Sequence, residues 1–226
     1  ILQSLEHPSE IIAMLKLKFG GFDLVNDNEP LEEVAKKSTD KYFCYAALNS
    51  VSRSFAVVIQ QLPDDLKDPV CVFYLVLRGL DSIEDDMTFP VEKRLPLLRN
   101  FHKKISQDGW NISGVGDSRN YRLLLQNFDK VIRVFNKLHP DYQQVITRIC
   151  EQMGNGMADY AERTVVTLED YNDYCFYVAG LVGIGLSDLF SASGLESPEL
   201  RNKVELSKSL GLLLQKTNIS RDYYED

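Results

Sequence analysis

The sequence predicts an all-α protein, because apolar residues recur at three- and four-residue spacing along almost all of its 226 positions. Strict alternation over five or more residues is hard to find, which argues against strands. With 44% apolar residues there is material for a sizeable core, in one large domain or the greater part of one.

The periodicity places helices at about 8–18, 41–62, 65–87, 91–106, 119–138, 141–162, 168–193 and 198–225. Gly20-Gly21 through Pro30, and Gln107 to Arg119, carry turn residues without periodicity and are expected to be loops. Pro63, Pro69, Pro90 and Pro140 sit near helix starts, where a missing N–H costs little. Arg163-Thr164-Val165-Val166 sets β-branched residues between two helical patterns without a good turn, as a short linker would.

Two glycine-rich stretches stand out. Met153-Gly154-Asn155-Gly156-Met157 interrupts a helical pattern, and a kink or a ligand contact would each explain it. Tyr171 to Phe190 holds Ala179, Gly180, Gly183 and Gly185, which either bring helices close or leave a slot for a long hydrocarbon. Close packing is the simpler reading of any single glycine.

Composition narrows the function. Net charge is −8 and no basic run is present, so nucleic acid is a poor partner. Cys44, Cys71, Cys150 and Cys175 lie apart in apolar stretches without a CxxC pair, as reduced core thiols of an intracellular protein do. The three scattered histidines give no support to a zinc site or a Ser/His/Asp triad. The amino terminus lacks the pattern of a signal peptide. Val178 to Leu186, the longest strongly apolar stretch, is too short to cross a bilayer, so this part of the chain is expected to be soluble.

The segment Pro69 to Met87 is apolar nearly all round for three turns and then abruptly acidic, as befits a buried helix that ends at a polar cavity. Asp81, Glu84 and Asp85 stand at i, i+3 and i+4, on one face that Arg78 and Tyr74 continue backward. Carboxylates so close repel unless a cation is shared, and Mg²⁺ held by one or two carboxylates plus substrate phosphates suits the arrangement. A solvated acidic surface is the alternative.

A second helix repeats the pattern, with Gly211, Gln215, Asn218, Asp222, Glu225 and Asp226 on one face and Arg221 just before the acidic group. Two such helices opposed across a cavity would hold metal ions and the diphosphates they bridge. In Ser52-Arg53-Ser54-Phe55, one arginine and two hydroxyls interrupt an apolar pattern. Arg53 either grips phosphate or lies on the surface.

Taken together in order and spacing, FYLVLRGLDSIEDDM, MGNGMADY, YCFYVAGLVGIGLS and LLLQKTNISRDYYED make the chain resemble the squalene/phytoene synthase family, in its squalene-forming branch. The resemblance runs from near residue 1 to residue 226 and implies an isoprenoid-synthase-type helical bundle around a central cavity. It takes 1–226 as the amino-terminal portion of a single catalytic domain whose later helices and carboxy-terminal membrane anchor lie outside the chain.

The implied reaction joins two farnesyl diphosphates head to head into presqualene diphosphate and reduces that with NADPH to squalene. Mg²⁺ is implied at Asp81, Glu84, Asp85, Asp222 and Asp226. Arg53, Arg78 and Arg221 are implied to contact diphosphate or the NADPH phosphates, and Tyr174 to be the proton-abstracting base. Ser52, Phe55, Tyr74, Gln215 and Asn218 are implied substrate-pocket residues. A monomer on the cytosolic face of the endoplasmic reticulum membrane is the implied setting. Phe176, Leu213 and Ser220 depart from the family wording without removing a metal ligand. A phytoene or dehydrosqualene synthase without the reduction, and a non-catalytic scaffold of the same fold, are the rival readings.

Overall fold

The computed structural model describes residues 29–225, and of Arg53, Ser54, Asp222, Tyr224 and Glu225 the backbone alone. Among these residues all regular structure is helical: α1 (Leu31–Lys37), α2 (Asp40–Val51), α3 (Arg53–Ile59), α4 (Asp64–Glu84), α5 (Val91–Lys104), α6 (Arg119–Gln126), α7 (Phe128–Phe135), α8 (Pro140–Ala161), α9 (Leu168–Cys175), α10 (Leu181–Ala192) and α11 (Val204–Glu225). A π-helical turn, Phe176–Gly180, joins α9 to α10, and a 3-10 turn, Pro198–Asn202, precedes α11. The helix expected at 8–18, and the loop from Gly20 as far as residue 28, lie outside the described residues.

Three of the expected helices are broken where periodicity continues through a single non-helical residue. Ser52 is extended (φ −145°, ψ 102°) and splits 41–62 into α2 and α3. Asn127 (φ −115°, ψ 27°) separates α6 from α7, and Lys203 (φ −89°, ψ 40°) separates the 3-10 turn from α11. Helix α1 was not expected, because its apolar content is short. It buries Leu31 and Val34, with Glu32 and Glu33 in its first turn and Lys36 and Lys37 in its last, as the helix dipole favours.

Helix α4 is the axis of the bundle. It touches α2, α3, α5, α6, α7, α8 and α10, and buries residues on every side, from Leu66 through Phe73 and Leu77 to Ile83. Pro63 caps it, but Pro69 lies inside it rather than at its start. Around this axis Phe101, Trp110 and Phe128 form an aromatic knot with ring centroids 5.3–5.8 Å apart. Trp110 thereby pins the 107–118 loop, helped by the Ile112 N–H, which donates to Leu125 O at 3.1 Å. All four cysteines are buried and unbonded.

The glycine stretches resolve into close packing. Helix α8 runs unbroken through 153–157, so neither glycine there marks a kink. A Cβ on Gly154 would lie 2.3 Å from the backbone oxygen of Leu98 on α5, and one on Gly156 would lie 2.3 Å from the Tyr177 ring. Against α11 the approach is mutual: Gly183 of α10 faces Ser207 O, and Gly211 of α11 faces Ala179 O of the π-turn, each at 2.6 Å from an added Cβ.

The helical run 168–192 is longer than the stretch Val178 to Leu186 suggested. At 25 residues, with mean hydropathy 1.6 in its most apolar part, it reaches the length and composition of a bilayer span. It packs on α4, α8 and α11, and its glycine face is used in those contacts. The outer face of α11 leaves Leu206, Leu210, Leu213 and Leu214 exposed.

Gly154→Ala sets two effects against each other. Helix propensity favours alanine by ~1 kcal/mol, whereas the added methyl meets a backbone carbonyl that cannot rotate away. Sterics wins, so the variant is expected to unfold more easily by ~1–3 kcal/mol, read as a lower midpoint in thermal or urea unfolding. Stabilisation of about 1 kcal/mol would show that α5 and α8 separate freely.

Candidate active site

From Pro69 onward helix α4 is largely apolar until its last turn, and there Asp81, Glu84 and the C-cap Asp85 share one face. The position is electrostatically poor for anions, since the carboxyl end of a helix already carries partial negative charge. About a quarter of the Asp81 side chain is accessible, and Arg78 Nη1 lies 3.4 Å from its Oδ2. Burial pushes the Asp81 carboxyl up to about 6, with Asp85 adding to the shift and Arg78 opposing it. Glu84 and Asp85 are each raised by burial above all; the Asp85 charge raises Glu84 further. Three carboxylates are therefore held where their charges are under-compensated.

Arg78 occupies the next turn, between two aromatic rings. Its guanidinium carbon is 5.8 Å from the Tyr74 ring centroid and 5.4 Å from that of Tyr121, and its Nε is buried without a hydrogen-bond partner. Beside it opens a cavity of about 450 Å³ lined by Ser50, Val51, Ser52, Phe55, Tyr74, Ser118, Asn120 and Tyr121. The break at Ser52 turns α3 so that Phe55, 60% exposed, stands 6.0 Å from Tyr74 across the opening. Ser52 Oγ is buried and unpartnered, a second donor that the protein leaves unused. Spacing gave no sign of the Ser118–Tyr121 wall. The only local signal is a helix start at Ser118, whose side chain accepts from the Tyr121 N–H.

Tyr174 stands on α9, which begins at a capping box formed by Thr167 and Asp170, with Arg163 paired to Asp170. Its ring meets Tyr160 edge-on at 5.7 Å, and Tyr160 in turn packs 6.1 Å from Tyr177. The Tyr174 phenol is pushed well above its ordinary range by burial and then by the charges of Glu84, Asp85 and Asp81. Electrostatics thus ties Tyr174 to the acidic end of α4.

Helix α11 packs on α9, α10 and the π-turn, with Lys216 bonded to Asn172 and lying 5.7 Å from the Tyr171 ring centroid. Gln215 is partly exposed on this helix, and Asn218 and Arg221 are exposed. The side chains of Arg53 and Asp222, and the whole of Asp226, lie outside the described residues. The structure therefore gathers Ser52, Phe55, Tyr74, Arg78, Asp81, Glu84, Asp85 and Tyr174 around one region, while Gln215, Asn218 and Arg221 sit on the helix beyond α9.

Among the described residues no three His, Cys, Asp or Glu side chains form a ready-made metal cage. Mg²⁺ seldom requires one, being held by one or two carboxylates, waters and substrate phosphates. Crowded carboxylates beside unpaired Arg78 and Ser52 donors suit a ligand carrying both signs: a cation for the former, phosphate oxygens for the latter.

The family model for squalene/phytoene synthase matches residues 48–226. A squalene synthase of Botryococcus braunii is 49% identical over 226 residues, covering 100% of this chain and 47% of its own length. The squalene synthase of Rattus norvegicus is 44% identical over 228 residues, covering 100% of this chain and 53% of its own length. The chain thus spans about half the length of these curated relatives. A solved complex of TcSQS with the ligand BPH1237 superposes with a TM-score of 0.80 at 51% identity, over 83% of this chain and 55% of that one. An acidic helix end inside an all-helical bundle, and close likeness in both sequence and backbone to the same group of enzymes, lead to one placement: the chain belongs to the squalene/phytoene synthase family.

Proposed function

We propose that the protein to which this chain belongs joins two farnesyl diphosphates head to head into presqualene diphosphate and reduces that product with NADPH to squalene. The observation that carries the reading is the grouping of the α4 carboxylates, Arg78 and Tyr174 beside an aromatic-walled cavity, in a chain of this family. An endoplasmic reticulum membrane location facing the cytosol, and a monomeric state, belong to the same proposal.

Asp81, Glu84 and Asp85, with Asp222 and Asp226, would hold Mg²⁺, which when bound offsets charge on the diphosphate oxygens. Arg78 donates hydrogen bonds to those oxygens from a site whose aromatic walls fix its guanidinium. Ser52 Oγ supplies a further donor, and Arg53 and Arg221 extend the phosphate grip. Phe55 and Tyr74 present ring faces that favour an allylic cation, and the apolar bundle excludes the water that would quench it. Gln215 and Asn218, on α11, would contact the substrate from beyond α9.

A phenol that burial and nearby carboxylates both push upward is a poor base on its own. Tyr174 would therefore take the proton shed in the condensation with help, passing its own phenol proton to an oxygen of the departed diphosphate beside it. NADPH enters the proposal through family membership, with the three arginines as its phosphate contacts.

Incubation of the full-length protein with farnesyl diphosphate and Mg²⁺ is expected to give squalene when NADPH is present and presqualene diphosphate when it is withheld. Dehydrosqualene with or without NADPH would assign the phytoene-type reaction, and no turnover would favour the scaffold.

The raised carboxyl groups set a pH dependence. Asp81 titrates at about 6 in the folded chain against an ordinary 3.8, so the folded state binds more protons between those values. Metal-free stability must then fall as pH rises through about 4 to 6; the raised Glu84 extends that fall upward. At pH 7.5 Asp81→Asn is therefore expected to raise the thermal midpoint in EDTA, by roughly 2–4 °C for each kcal/mol of repulsion relieved, and to abolish turnover when assayed with Mg²⁺. A lowered midpoint or near-normal turnover would count against the assignment. Because Mg²⁺ competes with these protons, the concentration giving half-maximal activity is expected to drop several-fold between pH 5.5 and 7.5. An unchanged value would contradict the role given to the carboxylates.

A further inference from the structure

Next to the carboxylate face lies a fourth acidic residue with a different environment. Asp86 directly follows the C-cap of α4 and is only 3% exposed. Its Oδ1 accepts from the Thr88 N–H at 2.9 Å and the Thr88 hydroxyl at 2.6 Å, and its Oδ2 accepts from the Gly116 N–H at 2.8 Å. Gly116 belongs to the loop entering α6, thirty residues on, and its own carbonyl accepts from Arg122 Nε at 2.6 Å. From the other side the buried Arg94 donates to the main-chain oxygens of Asp86 and Glu84, at 3.1 and 3.4 Å.

The Gly116 bond joins the acidic helix end to one wall of the cavity. On one side stands the end of α4 with Asp81, Glu84 and Asp85. On the other, two and five residues past Gly116, stand Ser118 and Tyr121, the latter stacked on Arg78. Gly116 has φ +118°, and a Cβ there would lie 3.1 Å from the Arg122 nitrogen, so glycine is what lets the loop present its N–H to the carboxylate.

Resting on the function proposed above, we infer that Asp86 is a positioning residue: it fastens the acidic end of α4 to the Ser118–Tyr121 wall and so sets the carboxylates at a fixed distance from that wall and the cavity it lines. A carboxylate is required because all of its partners are donors. An asparagine of the same size keeps one acceptor oxygen and must turn its NH₂ toward either Gly116 N–H or Thr88, donor against donor.

The test uses the full-length protein and its Asp86→Asn variant. The expected outcome is a fall in kcat/KM of ~10- to 100-fold, the scale that misplacing a catalytic group by an ångström produces. A higher Mg²⁺ requirement and a smaller thermal shift on adding Mg²⁺ with inorganic diphosphate should accompany it. A variant that melts earlier yet keeps wild-type kcat/KM, Mg²⁺ requirement and diphosphate shift would overturn the inference, leaving Asp86 a structural residue only. If Asp86→Asn fails to fold, Thr88→Val, which removes one donor and keeps the shape, decides it. A smaller loss in the same direction is expected, and wild-type values in all three readouts would overturn it. Wild-type protein without magnesium-dependent turnover or a diphosphate shift would instead defeat the function on which this inference rests, and the inference with it.

Discussion

Three carboxylates at the carboxyl end of a helix buried on every side form an arrangement that folding alone does not favour. Burial, mutual repulsion and the helix dipole all act against their charge, and Arg78, 3.4 Å from Asp81, compensates only in part. The rest of the structure answers this constraint. Asp86, Thr88, Gly116 and Arg94 hold the helix end in place by main-chain and carboxylate hydrogen bonds, so repulsion cannot be relieved by fraying the last turn. A site stressed in this way gains most when a cation arrives, which supports the proposed role of these carboxylates toward magnesium.

The packing around α4 makes such a site possible. Helices α2, α3, α5, α6, α7, α8 and α10 touch α4, and glycines at 154, 183 and 211 let neighbouring helices close to distances that any side chain would prevent. The tight bundle leaves its open space beside the break at Ser52, where Phe55, Tyr74 and Tyr121 form aromatic walls and the Ser52 hydroxyl and Arg78 Nε remain unpaired. On the far side α9 stands close enough for Tyr174 to feel all three carboxylates, and Lys216 attaches α11 to the same helix through Asn172. Aromatic walls and unsatisfied donors meet at one mouth, the combination an apolar chain with a diphosphate head requires.

Much of this was legible in the sequence. The 3.6-residue period gives α4, α5 and α8 with nearly their observed bounds, and the i, i+3, i+4 spacing alone puts Asp81, Glu84 and Asp85 on one face. Breaks at Ser52, Asn127 and Lys203 were hidden, because one residue can leave helical geometry while the apolar stripe continues on the next element. The Ser118–Tyr121 wall and the Asp86–Gly116 bond were invisible for another reason. Each joins segments some thirty or more residues apart, and spacing reports only neighbours along one helix. The motif Glu84-Asp85-Asp86 even disguises Asp86 as one more ligand, when burial and its hydrogen bonds give it a different part.

The central claim is that the carboxylates ending α4 and those ending α11 share one magnesium-bound diphosphate. The most direct measurement is a crystal structure of the full-length protein grown with Mn²⁺ in place of Mg²⁺ and a thiodiphosphate analogue of the substrate, with anomalous scattering locating the metal. The account predicts manganese between Asp81 or Asp85 on one side and Asp222 or Asp226 on the other, with the diphosphate oxygens bridging to Arg78. Manganese bound to a single cluster, with the two acidic helix ends facing separate surfaces, would contradict it.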